Sequence, residues 1–132
     1  MYFLDTNVVS AMLKSPSGRI AQRVLDEGAG RIAISIIVAS ELLFGIAKRP
    51  GTRSANLVRG AVDRINVVPF EPPADEAYAA IRATLERAGQ VIGPNDLLIA
   101  AHALATNRTL VTANAREFAR VPGLAVEDWS AA

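Results

Sequence analysis

The sequence predicts an α/β fold with a mostly parallel central sheet. Short apolar runs of strand length alternate along the chain with segments whose apolar residues recur at helical spacing. Strands that are separated by helices pair in parallel, which is the basis of this fold class. The hydrophobic content of 51% and the net charge of +1 exclude a disordered chain. A length of 132 residues predicts a single domain spanning residues 1–132.

The first half of the chain predicts two strands and four helices. Ser35 is a favourable N-cap for the long third helix, and Pro50-Gly51 ends it. The expected elements, in order, are a strand Met1–Leu4, a helix Val8–Leu13, a helix from Ile20 to Gly28, a strand Arg31–Ile34, a helix Ile36–Lys48 and a helix over residues 53–65.

The second half continues the alternation. Pro72-Pro73 starts the next helix and Gly89 closes it. The expected elements are a strand Asn66–Phe70, a helix Ala74–Ala88, a helix Asn95–Ala105, a strand Thr109–Thr112, a short helix through Phe118 and a short strand Leu124–Glu127.

The composition excludes several kinds of site. The chain has no Cys, which excludes disulfides, thiol catalysis and Cys-ligated metal centres. The single His, His102, excludes a site that uses two catalytic histidines. A helical wheel turns His102 about 240° away from Asp96. We therefore predict a structural role for His102. The apolar stretch over residues 32–47 is too short and too interrupted to span a membrane, and no basic leader precedes it, so we expect a soluble cytoplasmic protein.

Three acidic residues stand inside apolar runs. Asp5 follows the first strand directly, Glu41 has no cation at helical spacing, and Asp96 opens an apolar helix. Each of these acids also has a purely structural explanation. Asp5 could cap a helix, Glu41 could pair with an Arg from elsewhere in the fold, and Asp96 could be stabilised by the dipole at a helix N-terminus. Together at one sheet edge, three carboxylates repel one another unless protons or a cation compensate them. A hard divalent ion, Mg²⁺ or Mn²⁺, suits such an all-oxygen site.

Further polar residues follow the strands at the same predicted edge. Asn114 and Glu117 come just after the fourth strand and are additional candidate ligands, although Asn114 also suits an ordinary turn. Metal-bound carboxylates need hydrogen-bonding partners that orient them. The candidates for that role are Thr6, Asn7 and Thr112.

The order and spacing of these residues resemble a known family. Leu4-Asp5-Thr6-Asn7, Ser40-Glu41-Leu42, the stretch from Ile92 to Ala103 and Arg116-Glu117-Phe118 are similar to PIN domains. The resemblance covers essentially the whole chain. It is nearest to the VapC-type toxin ribonucleases of bacterial toxin–antitoxin pairs.

The resemblance implies a three-layer α/β/α sandwich and a metal-dependent endoribonuclease that uses Mg-activated water. In this interpretation Asp5, Glu41 and Asp96 hold Mg²⁺ or Mn²⁺, and the substrate is a structured RNA such as tRNA. It further implies a homodimer and a small cognate antitoxin that covers the site. The chain departs from the broader PIN pattern at the fourth acidic position, where it has Asn114.

Two other functions remain open from the residues alone. A phosphotransfer or phosphatase domain would use Asp5 as a nucleophile, although Asn7 stands where such a domain has a second Asp. A non-catalytic binding module is the other alternative. The basic segment over residues 46–66 either is a solvated helix surface or contacts RNA phosphates, with Lys48, Arg49 and Arg53 as the first candidates.

Overall fold

The computed structural model describes residues 1–130 as an α/β protein with a five-stranded sheet. The strands are β1 (Tyr2–Leu4), β2 (Ile32–Ser35), β3 (Asn66–Val68), β4 (Thr109–Val111) and β5 (Val126–Glu127). The α-helices are α1 (Thr6–Lys14), α2 (Arg19–Glu27), α3 (Ile36–Lys48), α4 (Arg53–Arg64), α5 (Ala74–Arg87), α6 (Pro94–Ala105) and α7 (Ala115–Phe118), with a 3-10 turn at Ala29–Arg31.

All strands of this sheet are parallel, in the order β3-β2-β1-β4-β5. The chain first moves outward from β1 to β3 and then crosses back to β4. The strand order therefore reverses between β1 and β4, and such a switch point opens a crevice at the carboxyl ends of the strands. Leu4 pairs with Val111 there, so Asp5 and Thr112 follow the two strands side by side.

The helices form a layer on each face of the sheet. Right-handed crossovers place α1 to α4 on one face and α5 to α7 on the other. In agreement, α1 packs against α2, α3 and α4, while α5 packs against α6 and α7 against β5. The predicted three-layer sandwich is confirmed. No helix in residues 1–130 is both long and apolar enough to cross a bilayer.

The core lies along the central strands. Phe3, Ile34, Leu110, Ile99 and Phe118 are completely buried, and they come from both the sheet and the helices that cover it. Close packing of this kind holds the ends of β1 and β4 in a fixed relation. The residues that follow these two strands consequently have little freedom.

β3 and β5 are each two residues shorter than the sequence predicts, while β1 begins one residue later and β4 ends one residue earlier. β3 ends at Val68 rather than Phe70, because Pro69 has no N–H to donate to the ladder. β5 begins at Val126 rather than Leu124, since the chain is still turning at Gly123, whose φ is 81°, and the Leu124 N–H donates to the Val121 carbonyl at 3.4 Å. Neither β3 nor β5 borders the gap between β1 and β4, so these two differences do not change the crevice.

Candidate active site

Asp5 lies at the centre of the crevice, where it caps the N-terminus of α1. Its Oδ1 accepts a hydrogen bond from the Thr6 N–H and its Oδ2 accepts one from the Thr112 hydroxyl, both at 2.8 Å. The side chain is buried, and this burial raises its pKa above the ordinary value despite the two hydrogen bonds, with Glu41 and Glu117 adding to the effect. The predicted capping role and a role in the site are therefore compatible.

Glu41 reaches the same place from α3. The Thr6 hydroxyl donates to its Oε1 at 2.5 Å, and the Asn95 amide donates to its Oε2 at 3.3 Å. Thr6 thereby contacts two carboxylates, one through its backbone and one through its side chain. Within residues 1–130 no Lys or Arg forms an ion pair with Glu41, so the alternative of a distant Arg partner is wrong.

Asp96 enters the site from the first turn of α6, which begins at Pro94. Its pKa is raised to about 6, mainly by burial and then by the charges of Glu117, Asp5 and Glu41. The favourable dipole of a helix N-terminus does not offset these effects. Asp96 is the carboxyl group in this cluster that most needs a proton or a cation.

Glu117 is the fourth carboxylate of the cluster. Its Oε1 accepts a hydrogen bond from the Gly93 N–H at 3.2 Å, and its Oε2 accepts one from the Asn114 amide. The Asn114 N–H in turn donates to the Thr112 hydroxyl at 3.0 Å. The exposed Asn114 therefore contacts Glu117 through its amide nitrogen, and Glu117 supplies the negative charge that position 114 lacks.

The four carboxylates have no compensating cation in the part of the chain that is described. The five ion pairs found there involve other acids. In the same residues, no three acids lie close enough together to hold one metal ion as they stand. The donor chemistry nevertheless fits a hard divalent ion, because every candidate ligand is an oxygen and the excess negative charge is unpaired.

A groove of about 700 Å³ opens beside Thr6 and Glu41 and runs between α1, α3 and α4. Aliphatic side chains form much of its lining, among them Leu13, Leu42, Ile46, Leu57 and Val58. Three cationic side chains also line it, namely Lys14, Arg49 and Arg53. The groove thus combines an apolar surface with positive charge next to an acidic cluster.

The family model of the PIN domain matches residues 2–124. The chain is 39% identical over 131 residues to the protein named Ribonuclease VapC2 of Rickettsia felis, with 98% of each chain covered. It is 36% identical over 130 residues to the tRNA(fMet)-specific endonuclease VapC of Shigella flexneri, again with 98% of each covered.

This chain belongs to the VapC ribonucleases of the PIN-domain family. Solved structures of the family have the same fold. The DNA-bound VapBC2 structure from Rickettsia felis superimposes with a TM-score of 0.88 at 36% identity, covering 97% of this chain and 98% of that one. The DNA-bound VapBC structure from Salmonella typhimurium gives a TM-score of 0.89 at 36% identity, covering 97% of each chain.

The structure brings together most of the residues that the sequence singled out. Asp5, Glu41, Asp96 and Glu117 form one cluster, and Thr6 and Thr112 bind its carboxylates. Asn7 is exposed, and within residues 1–130 no hydrogen bond joins its side chain to the cluster. Asn7 follows Thr6 on α1, and successive helical residues point in directions about 100° apart, so Asn7 faces away from the cluster.

Two residues of the site and its groove could not be recognised from the sequence. Asn95, which donates to Glu41, is exposed and looks like an ordinary residue of a helix start. Lys14 lines the groove but stands alone at the end of α1, outside the basic segment. Of the predicted cations, Lys48 does not line the groove, since its ammonium nitrogen lies 5.0 Å above the Phe44 ring.

His102 lies away from the site, in the core, which confirms its predicted structural role. Its Nδ1 is 2.7 Å from the Ser35 hydroxyl, and its ring stands edge-on to Phe3 and Phe70. Burial lowers the pKa of His102 below the ordinary value. The neutral ring joins α6 to the N-terminus of α3.

The metal-free protein should become more stable when the charge of Asp96 is removed. Because the pKa of Asp96 is about 6 in the folded protein against 3.8 ordinarily, the folded state binds this proton more tightly and loses stability as pH rises from 3.8 through about 6. In EDTA, Asp96→Asn should therefore raise the melting temperature at pH 7 and have little effect at pH 4. Asp26→Asn, at an exposed site on α2, is the control; a gain for Asp96→Asn that does not depend on pH would contradict the prediction.

Proposed function

We propose that this protein is a metal-dependent endoribonuclease and the toxin of a cytoplasmic toxin–antitoxin pair. The observation that carries the proposal is a cluster of four carboxylates at the switch point of a VapC-family fold. No Lys or Arg within residues 1–130 forms an ion pair with these carboxylates. Asp5, Asp96 and Glu41 are the proposed ligands of Mg²⁺ or Mn²⁺. Glu117 is the proposed fourth acid, and Asn114 orients it.

The protein side chains have positioning and charge roles in the proposed reaction. When bound, the metal would activate a water molecule and neutralise charge on the scissile phosphate. Thr112 and the Thr6 N–H fix the Asp5 carboxylate, while the Thr6 hydroxyl and Asn95 fix Glu41. In-line attack by this water would need neither a nucleophilic side chain nor the RNA 2′-hydroxyl. The expected ends are a 5′-phosphate and a 3′-hydroxyl.

The contacts of Asp5 argue against its use as a phosphate acceptor. Both of its oxygens accept hydrogen bonds from protein donors, and Asn7 is turned toward solvent. Within residues 1–130 no Lys pairs with Asp5, although a phosphotransfer site would need one there. The hydrolytic function is therefore favoured over the phosphotransfer alternative.

We propose a structured RNA, such as a tRNA, as the substrate. The Shigella relative is named for action on tRNA(fMet), and Arg49 and Arg53 line the same groove as Glu41. Neither Arg is engaged in an ion pair within the described residues. Arg49 and Arg53 are therefore the proposed contacts to RNA phosphates, together with Lys48 of α3.

A cognate antitoxin is the proposed protein partner. The solved relatives are toxin–antitoxin complexes. The groove offers an apolar surface for a segment of the antitoxin, and its cations would pair with acids on that segment. A segment bound there would cover Glu41 and the two Arg residues, so it would exclude RNA. We also propose that the toxin is a homodimer.

The substitution Asp5→Asn should abolish cleavage while the fold remains intact. Asn can keep the hydrogen bond from the Thr6 N–H but removes a charged metal ligand, so we expect cleavage of RNA to fall by more than about 100-fold. The measurement is cleavage of a tRNA mixture with Mg²⁺ or Mn²⁺, with and without EDTA. Asp26→Asn is the matched control. Metal-independent cleavage, or unchanged cleavage by Asp5→Asn, would refute the proposed function.

Removing Arg49 and Arg53 together should weaken RNA binding and flatten its salt dependence. Each lost phosphate contact reduces the slope of log K against log salt by about 0.7 for a single strand and about 0.9 for a duplex, so for a structured RNA the pair should reduce it by about 1.4 to 1.8. Binding is measured with the inactive Asp5→Asn protein. Arg19→Ala with Arg87→Ala removes the same charge from exposed sites outside the groove. Equal slopes in the two double variants would support a merely solvated surface.

A charge in the groove should impair binding of the antitoxin. Leu57 lines the groove and is 48% exposed, so Leu57→Asp should leave the fold intact. Covering this carboxylate with an apolar segment is costly, and we expect the antitoxin to bind about tenfold more weakly or worse. Leu25→Asp is the control, since Leu25 is 73% exposed on α2 and lies outside the groove. Equal inhibition of both variants by the antitoxin would exclude the groove as its site.

A further inference from the structure

The fourth carboxylate stands on an element that cannot hold its own position. α7 is a single turn of four residues, Ala115–Phe118, and so short a helix is not stable by itself. Phe118 is completely buried and anchors one side of the turn in the core. Glu117 precedes Phe118 and points about 100° away from it around the turn, into the carboxylate cluster. The placement of Glu117 therefore depends on contacts beyond the turn.

Two hydrogen bonds join this part of the chain to the segment before α6. The Gly93 N–H donates to Glu117 Oε1 at 3.2 Å. The Arg120 guanidinium, through Nη1, donates to the Val91 carbonyl at 3.0 Å. Val91 and Gly93 lie two residues apart on one segment, and Glu117 and Arg120 lie three residues apart on the other. They close a small ring that holds the two segments together.

This ring links two of the carboxylates. Gly93 directly precedes α6, on whose first turn Asp96 stands, and Glu117 stands on α7. The bond between Arg120 and Val91 adds a second tie beside the bond between Gly93 and Glu117, and it limits how far Glu117 can move from the start of α6, where Asp96 stands. Arg120 is exposed and forms no ion pair in the described residues, so its hydrogen bond to a main-chain carbonyl is the contact that defines its role there.

We propose that Arg120 is a positioning residue, which holds Glu117 at the proposed metal site by tying the end of α7 to Val91. The inference rests on the proposed function, because it assigns Glu117 to that site. Arg120 acts through Glu117 and is not itself a metal ligand, because a guanidinium has no lone pair to offer a cation. Its loss loosens the arrangement of Asp96 and Glu117 but leaves the Phe118 anchor intact.

The test compares Arg120→Ala and Arg120→Lys with Arg116→Ala. Arg116 is an exposed cation on α7, four residues before Arg120, so its variant removes the same charge nearby without breaking the contact with Val91. Binding of Mn²⁺ to the full chain is measured by calorimetry. We expect Arg120→Ala to raise the Kd for Mn²⁺ about threefold to tenfold. Arg120→Lys should restore part of the affinity, because Lys retains an N–H donor for the carbonyl, and cleavage by Arg120→Ala should recover at saturating Mn²⁺.

A second measurement needs no metal. Hydrogen exchange of the Gly93 amide, followed by NMR in EDTA, reports its bond to Glu117. It should become faster in Arg120→Ala and remain unchanged in Arg116→Ala. Equal Mn²⁺ affinities together with equal Gly93 exchange in these two variants would overturn the inference. Absence of Mn²⁺ binding to the unmodified protein would instead overturn the proposed function, and the Gly93 exchange would still test the role of Arg120.

Discussion

The pairing of β1 with β4 is the constraint on which the site depends. These neighbouring strands place Asp5 beside Thr112, and the hydrogen bond between them fixes one carboxylate at the switch point of the sheet. The other acids reach this fixed group from helices that begin at the same edge. Thr6, which follows Asp5, then binds Glu41. One strand register thus determines where the whole cluster forms.

The cluster lowers the stability of the protein on which it stands. Burial and mutual repulsion raise the pKa of both Asp5 and Asp96, so the folded chain holds negative charge in an unfavourable place. The surrounding core is well packed, and its completely buried residues compensate for this cost. Sites that are built to bind a charged ligand commonly have such unfavourable electrostatics before the ligand arrives.

The sequence predicted the fold and the main acids because both depend on local patterns. Alternating apolar runs indicate an α/β sheet, and acids inside apolar runs stand out at Asp5, Glu41 and Asp96. It could not predict Asn95 or Arg120, since both are exposed polar residues whose roles come from contacts with residues far along the chain. Asn114 was ambiguous for a related reason. Its sequence context shows an amide where an acid was expected, and only the fold shows that the amide binds Glu117.

The hydrogen bond between Thr112 and Asp5 joins residues that are 107 positions apart. During synthesis on a ribosome, β1 emerges first, but its neighbour β4 emerges only after most of the chain has been made. Until then Asp5 lacks the Thr112 hydroxyl, and neither Asp96 nor Glu117 has reached its place. A nascent chain therefore carries no assembled acidic cluster. In this member of a ribonuclease family, the acidic cluster is therefore complete only after nearly the whole chain has been made.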